Sequence, residues 1–473
     1  MNNKPEPLWN NDELSEVLNI NISGNWQFNG IEIDSRKIKD GRLFFAFEGK
    51  NFNGHDFIKD ALNSGAKGVV VNRNVYEKFD GYLILRVKDV YAAMLKLAKA
   101  SRKRTNNSNI IAITGSSGKT STKEMLKSAL INIGNVHASP DSYNNYMGVP
   151  YSLINMPKDT KFGIFEIGMN HSNEIRPLSK LVNPSTVIIT NITDAHIGNF
   201  KSLNDIVKAK SEIFEGLNKD GQVIINRDFS SYDKTINIAN KLGIKNIFSY
   251  GVHENSDIRL IDRVQLPKGQ KIEAEAFGKK YLYKINFNGK HQAINSLSVL
   301  SILILLKQDI RKGLNSLFSA YLPMGRGNKY IFSMRQGKIV LIDDTYNANP
   351  SSVKASINLL NETAKNNRKV VILGEMAELG KHSESLHLAL KECLLENDID
   401  MIVFVGNKTK GLYNALKRNI KCFWNKDSKT VIYEKFINLI LPNDFILVKG
   451  SRSVKMEIIV DYIKENFSLE EKK

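Results

Sequence analysis

The chain has 473 residues, 42% of them apolar and 25% charged. That length points to about three domains, and that composition excludes a disordered or collagen-like chain. The formal net charge is +18, yet the cations are scattered: only Ser101-Arg102-Lys103-Arg104 forms a block, and no basic stripe carries interleaved aromatics, which argues against nucleic acid and leaves acidic small molecules as partners.

The start, Met1 to Pro7, has no signal-peptide core. The longest apolar run, Leu297 to Leu306, contains Ser298 and Ser301 and is too short to span a bilayer. Cys393 and Cys422 lie far apart without ligand-like spacing, which fits a reducing cytoplasm.

Residues 1–103 read as a small α/β unit. It contains Ile31 to Arg36, Gly41 to Gly49, a helical stretch from His55 to Asn63 and a strand at Gly68 to Val71. The polar run Ser101 to Asn109 reads as a linker.

Residues 104–322 form a central unit. It opens on the β-branched strand Ile110 to Ile113, a turn Thr114-Gly115-Ser116-Ser117-Gly118-Lys119-Thr120-Ser121, and a helical pattern from Thr122 to Leu130. A glycine-rich turn between strand and helix aims bare backbone N–H groups at an anion. Lys119 adds a point charge for terminal phosphates and Thr120 a hydroxyl for Mg²⁺. Ile113 stands where G-x-x-x-x-G-K-[ST] has its first glycine, so this is a shortened ATP-phosphate loop. Further strands at Phe162–Ile167, Thr186–Thr190 and Gln222–Ile225 alternate with helical patterns, giving a doubly wound sheet. Residues 255–288 are more β-like.

Three polar residues interrupt apolar patterns here. Glu166 interrupts an apolar strand near its carboxyl end, where a carboxylate either faces water at an edge or, if buried, needs a metal or an ion-pair partner. His196 follows the next strand, a position open to a structural or a ligand role. Lys210 lies on the apolar stripe of an amphipathic segment from Leu203 to Leu217, while Lys208 points away. Its stem could cover apolar surface, or its burial could disfavour the ammonium for a functional reason.

Residues 323–473 form a third α/β unit. Its strands are Lys338–Ile342, Val370–Leu373, Met401–Val405 and Phe445–Val448. Asp343-Asp344-Thr345-Tyr346-Asn347-Ala348-Asn349-Pro350 follows the first of them, and a helix starts near Ser351. Alone, that segment reads as a capping turn.

Taken together, these motifs resemble the Mur ligase family over nearly the whole chain. The resemblance rests on Asp34-Ser35-Arg36 with Asn53-Gly54-His55, the short phosphate loop, Asn144-Asn145 with Gly148-Val149-Pro150, and Glu166-Ile167-Gly168-Met169. It continues with Asn191, Ala195-His196, Ala209 to Phe214, Gly289-Lys290-His291 with Asn295, Gly325-Arg326-Gly327, Asp343 to Pro350 and Leu373 to Gly380. Tyr346-Asn347-Ala348-Asn349 and Gly374-Glu375-Met376 resemble the branch that adds D-alanyl-D-alanine.

The resemblance implies an N-terminal UDP-binding domain, a P-loop-type central ATPase domain and a Rossmann-like C-terminal domain. It implies a monomeric cytoplasmic enzyme that adds D-alanyl-D-alanine to UDP-N-acetylmuramoyl-tripeptide in peptidoglycan synthesis, through an acyl phosphate. Lys119 and the backbone of Gly115, Ser116, Ser117, Gly118, Thr120 and Ser121 would hold ATP. Asn295 would contact the adenine side, Arg326 phosphate and Asp344 ribose. Thr120 and Glu166 would hold one Mg²⁺, and His196 with a carboxylated Lys210 a second. Ser35 and Arg36 would meet the UDP group, and Asn144 and Asn145 the muramoyl-peptide. Two rivals weigh less. A tripeptide-forming relative lacks its acceptor-reading Asp-Asn-Pro-Arg-like segment here, and a basic nucleic-acid-binding ATPase lacks its stripe.

Overall fold

A computed structural model describes residues 6–49, 52–72, 79–433 and 436–470. Its architecture is α/β, built on three sheets of four, nine and seven strands with a two-stranded ribbon near the N-terminus. The four-stranded sheet is parallel throughout, in the order Ile31–Glu32, Arg42–Phe45, Ala66–Val71, Leu83–Arg86. A helix from Val90 to Arg104 then leads to the middle sheet, its Asp89 cap accepting from the Tyr91 and Ala92 N–H groups.

That helix corrects the reading of Ser101 to Asn109 as a linker. Ser101 to Arg104 are its last turn, where cations suit the negative end of a helix. Arg102 is buried and donates to the carbonyls of Val182, Asn183 and Thr105, fastening the junction to the middle unit.

In the nine-stranded sheet, Asn109–Thr114 lies between Phe162–Glu166 and Thr186–Ile189, all parallel. Ile110 to Ile113 are wholly buried, as a continuous β-branched run requires in a sheet covered on both faces. Chain order reverses around this strand, so the crevice at its carboxyl end is where open α/β sheets take ligands. Residues 258–285 add three strands at one edge; Gln270–Ala276 pairs antiparallel with both neighbours, Ile258–Gln265 and Lys279–Ile285. The sheet is therefore mixed rather than purely doubly wound.

The amphipathic segment Leu203 to Leu217 is also not one helix. An α-helix spans Leu203–Ser211 and a 3-10 turn Glu212–Gly216. The break has a cause: the buried Glu212 carboxylate accepts from the N–H groups of Asn173 and Arg176, beside the N-terminus of the helix Ile175–Val182.

The third sheet runs Lys421–Asn425, Met401–Val405, Lys369–Gly374, Phe445–Lys449, Gly337–Asp344 in parallel, with antiparallel strands at Asn328–Met334 and Ser468–Leu469. After Asp344 the chain enters the helix Pro350–Ala364. Asn349 caps it reciprocally with Ser352, and Pro350 sits in the first turn.

Candidate active site

Three neighbouring strands of the middle sheet end together, and each contributes one part of the site. From Asn109–Thr114 comes the glycine loop. Gly115 has φ +155° and Gly118 φ +82°, conformations that side chains rarely adopt. The strand Thr186–Ile189 supplies the loop's support. The Asn191 carbonyl accepts from Ser116 N–H at 3.0 Å, its Oδ1 from Ser117 N–H at 2.9 Å, and its Nδ2 donates to Ser117 Oγ at 2.7 Å. Thr190 Oγ1 donates to the Ser117 carbonyl at 2.6 Å. The loop is thus braced by its neighbouring strand, and a braced cradle needs little ordering to bind an anion.

Lys119 starts the following helix, Lys119–Ile131, and folds back to donate to the Gly115 carbonyl at 2.8 Å. Burial pushes its ammonium below the usual lysine range; Glu166 opposes that shift and Arg326 adds to it. A polyanion in the loop would remove this imbalance.

Glu166 ends the strand Phe162–Glu166 and is 1% exposed. Thr120 Oγ1 donates to its Oε2 and Asn144 Nδ2 to its Oε1, both at 2.7 Å. A hydroxyl and a carboxylate side by side beneath a phosphate loop suit a hard divalent ion. Lys210 is 1% exposed. Among the described residues its ammonium has no hydrogen bond and no ion pair, and burial, reinforced by Lys119, pushes its pKa well down. Lys123, equally buried, shows the ordinary solution: it donates to the carbonyls of Ser139 and Asp141 and pairs with Glu124. No group of three His, Cys, Asp or Glu side chains among the described residues could hold a metal.

The third unit closes the crevice. Arg326 Nη2 donates to Ser142 Oγ at 2.8 Å, while its guanidinium lies 3.8 Å over the Tyr346 ring. Thr193 Oγ1 and Ser351 Oγ are 3.2 Å apart. His196 Nδ1 is 2.5 Å from Glu378 Oε2, and that ring holds the Glu378 carboxyl below its usual range. Asp344 Oδ2 accepts from Ser356 at 2.5 Å and from the buried Lys449 at 2.6 Å.

Two cavities adjoin. One, about 340 Å³, is lined by Ile33, Ser142, Tyr143, Asn145 and Tyr346, so all three units border it. The other, about 1200 Å³, runs from Asn144 and Gly168 along Lys99 and Lys180.

Models of three Mur ligase parts match in sequence: the Mur ligase family catalytic domain over residues 27–113, the middle domain over 113–303 and the glutamate ligase domain over 332–452. The chain belongs to the Mur ligase family. It is 37% identical to a UDP-N-acetylmuramoyl-tripeptide–D-alanyl-D-alanine ligase of Rickettsia prowazekii, over 96% of this chain and 99% of the relative. MurF from Acinetobacter baumannii superposes with a TM-score of 0.83 at 28% identity, covering 97% and 99% of the two chains. The MurF ligase of Thermotoga maritima, solved in complex with ADP, gives a TM-score of 0.74 at 26% identity, covering 92% and 97%. The fold is accordingly the three-domain Mur ligase fold. No helix among the described residues is long and apolar enough to cross a membrane.

Within this Mur ligase the expected site residues divide. Gly115 to Ser121 and Glu166 share the carboxyl end of the central strands, with Lys119 close enough to bias Lys210. Asn295 lies against the loop, since a Cβ on Gly118 would come within 2.8 Å of its Nδ2. Asn144 touches Glu166, whereas Asn145 spends its Oδ1 on the Met147 and Gly148 N–H groups. Arg36 is 86% exposed and pairs with Asp34; the neighbouring Lys37 reaches the Tyr143 hydroxyl at 3.2 Å. Ser142 and Lys449 escaped the sequence reading, and Tyr346 and Glu378 entered it only inside motifs, without a role. Only Lys449 carried a usable signal, a cation ending the apolar strand Phe445–Lys449 just as Glu166 ends its own.

Proposed function

We propose that the enzyme joins D-alanyl-D-alanine to UDP-N-acetylmuramoyl-tripeptide, with ATP cleaved to ADP and phosphate. In this reading residues 1–103 take the uridine nucleotide, 104–322 ATP, and 323–473 the dipeptide. The observation that carries it is one crevice holding a preformed phosphate loop, a buried carboxylate and an unpaired buried lysine. It sits in a chain alike over 96% of its length to the Rickettsia D-alanyl-D-alanine ligase.

A carboxylate is a poor electrophile, so the tripeptide's terminal carboxylate first attacks the γ-phosphorus of ATP. An O–P bond forms, the β,γ-bridge bond breaks and ADP departs. The dipeptide amine then attacks the acyl carbon, its proton leaves and phosphate is expelled. Lys119 and the loop N–H groups hold the terminal phosphates and offset repulsion between two anionic reactants. Arg326 contributes charge from the opposite wall, and Asp344, with one oxygen free of Lys449, receives the ribose. Asn295 meets the adenine side. Ser35 and Arg36 meet the UDP group, with Asn144 and Asn145 beside the muramoyl-peptide.

Bound Mg²⁺ supplies charge neutralisation on the phosphate oxygens. Thr120 and Glu166 would hold one ion; His196 and carboxylated Lys210 would hold the other. Carboxylation follows from the burial of Lys210. Its neutral amine adds to CO₂, an N–C bond forms, and one proton leaves to solvent. The product is an anion with two ligand oxygens where an ammonium had no partner.

Positional isotope exchange tests the first step. With ATP and tripeptide but no dipeptide, label should scramble between the β,γ-bridge and non-bridge oxygens. An active enzyme that shows no scrambling would contradict a reversible acyl phosphate.

A further inference from the structure

Where the middle and third units meet, the backbones approach more closely than side chains allow. A Cβ on Gly198 would lie 2.4 Å from Gly380 N, and one on Gly380 would lie 2.7 Å from Gly198 Cα. Gly198 N–H donates to the Glu378 carbonyl at 2.9 Å across this seam. Flanking it are two non-glycine residues in the left-handed region, His196 at φ +64° and Glu378 at φ +62°. Such backbone is costly and persists where its surroundings over-determine it. Here the two strained residues face each other, with Nδ1 and Oε2 2.5 Å apart.

We infer that Glu378 is a positioning residue for His196, supplied by the third unit to complete a metal site on the middle one. This rests on the proposed role of His196 as a ligand. A carboxylate at Nδ1 fixes the tautomer and ring plane, and leaves Nε2 as the nitrogen available to an ion. Ligating histidines are commonly oriented this way, and loss of such a partner typically weakens metal binding by about 10- to 100-fold. Because Glu378 lies beyond the strand Lys369–Gly374, His196 is oriented only while the third unit is seated. Seating and assembly of the second ion site become one event, which would keep phosphoryl transfer from starting in an open enzyme.

Mn²⁺ titration of the full chain with a non-hydrolysable ATP analogue, read by electron paramagnetic resonance, tests this. Wild type should take up two ions. Glu378→Ala should hold the first with unchanged affinity and the second about 10- to 100-fold more weakly. Glu378→Gln, which keeps a carbonyl oxygen beside Nδ1, should recover most of the loss. A folded Glu378→Ala that binds both ions as wild type overturns the inference, as does a Glu378→Gln no better than Ala. His196→Ala separates the layers. If it loses the second ion while Glu378→Ala keeps it, the positioning role alone falls. If neither loses it, the ligand role of His196 fails and takes the inference with it.

Discussion

Lys210 is the residue where burial and chemistry conflict most. An isolated ammonium in a protein interior is costly, and the common remedy is neutralisation. Lys123 shows the alternative, satisfied by two backbone carbonyls and Glu124. Lys210→Ala should lower turnover at least about 100-fold, as expected for removal of a transition-state electrostatic group. Added bicarbonate should not restore it, and short carboxylic acids should do so in part. Wild-type turnover in that variant would dismiss the metal-bridge role. Spacing on the apolar stripe made Lys210 legible in the sequence. Glu378 and Ser142 were not, because their significance comes from partners about 180 residues away in the chain. A second prediction concerns a residue outside the reaction. His137 packs against Phe165 and its Nε2–H donates to the Ser152 carbonyl; burial lowers its pKa to about 4. The unfolded histidine titrates near 6.5, so between pH 6.5 and about 4 the unfolded chain binds the proton first. Stability from the neutral ring is complete above 6.5 and is lost as pH falls through that window. His137→Gln keeps a donor but does not titrate, so its melting temperature should fall less steeply than wild type between those values.

At the scale of elements, the phosphate loop depends on a strand it does not belong to. A Cβ on Gly115 would fall 1.9 Å from Thr190 Oγ1, in a backbone that already disfavours side chains. Gly115→Ala should therefore displace Thr190 or the loop, and calorimetry should show ATP affinity reduced at least about tenfold, equal to roughly 1.4 kcal/mol. Retained affinity would mean the cradle tolerates rearrangement. Strand, turn and helix here were readable because β-branched periodicity, glycine and Lys-Thr agree locally. The segment Ser101 to Asn109 misled because polarity alone does not separate a linker from the last turn of a helix. Arg102 is polar in sequence yet buried, since its donors find the Val182 and Asn183 carbonyls of another helix. The break after Ser211 was equally hidden, being imposed by a helix end that Glu212 satisfies.

For the whole molecule, the third unit determines whether the crevice is complete. Arg326 spans the seam by stacking on Tyr346 and donating to Ser142. Arg326→Lys should not rescue it, because a compact ammonium lacks a planar fork that stacks and donates together. Both Arg326→Ala and Arg326→Lys should lower kcat about 10- to 100-fold, with thermal stability near wild type. A Lys variant with full activity would show that charge alone suffices there. Of the cations behind the net charge of +18, Arg102, Lys123, Lys210 and Lys449 are internal. The most direct test is the product mass after incubation with ATP, D-alanyl-D-alanine and UDP-N-acetylmuramoyl-tripeptide carrying lysine or diaminopimelate. One tripeptide should gain a single dipeptide less water, with one ADP formed per product. ATP hydrolysed without that product, or a single amino acid added in place of the dipeptide, would contradict the assignment.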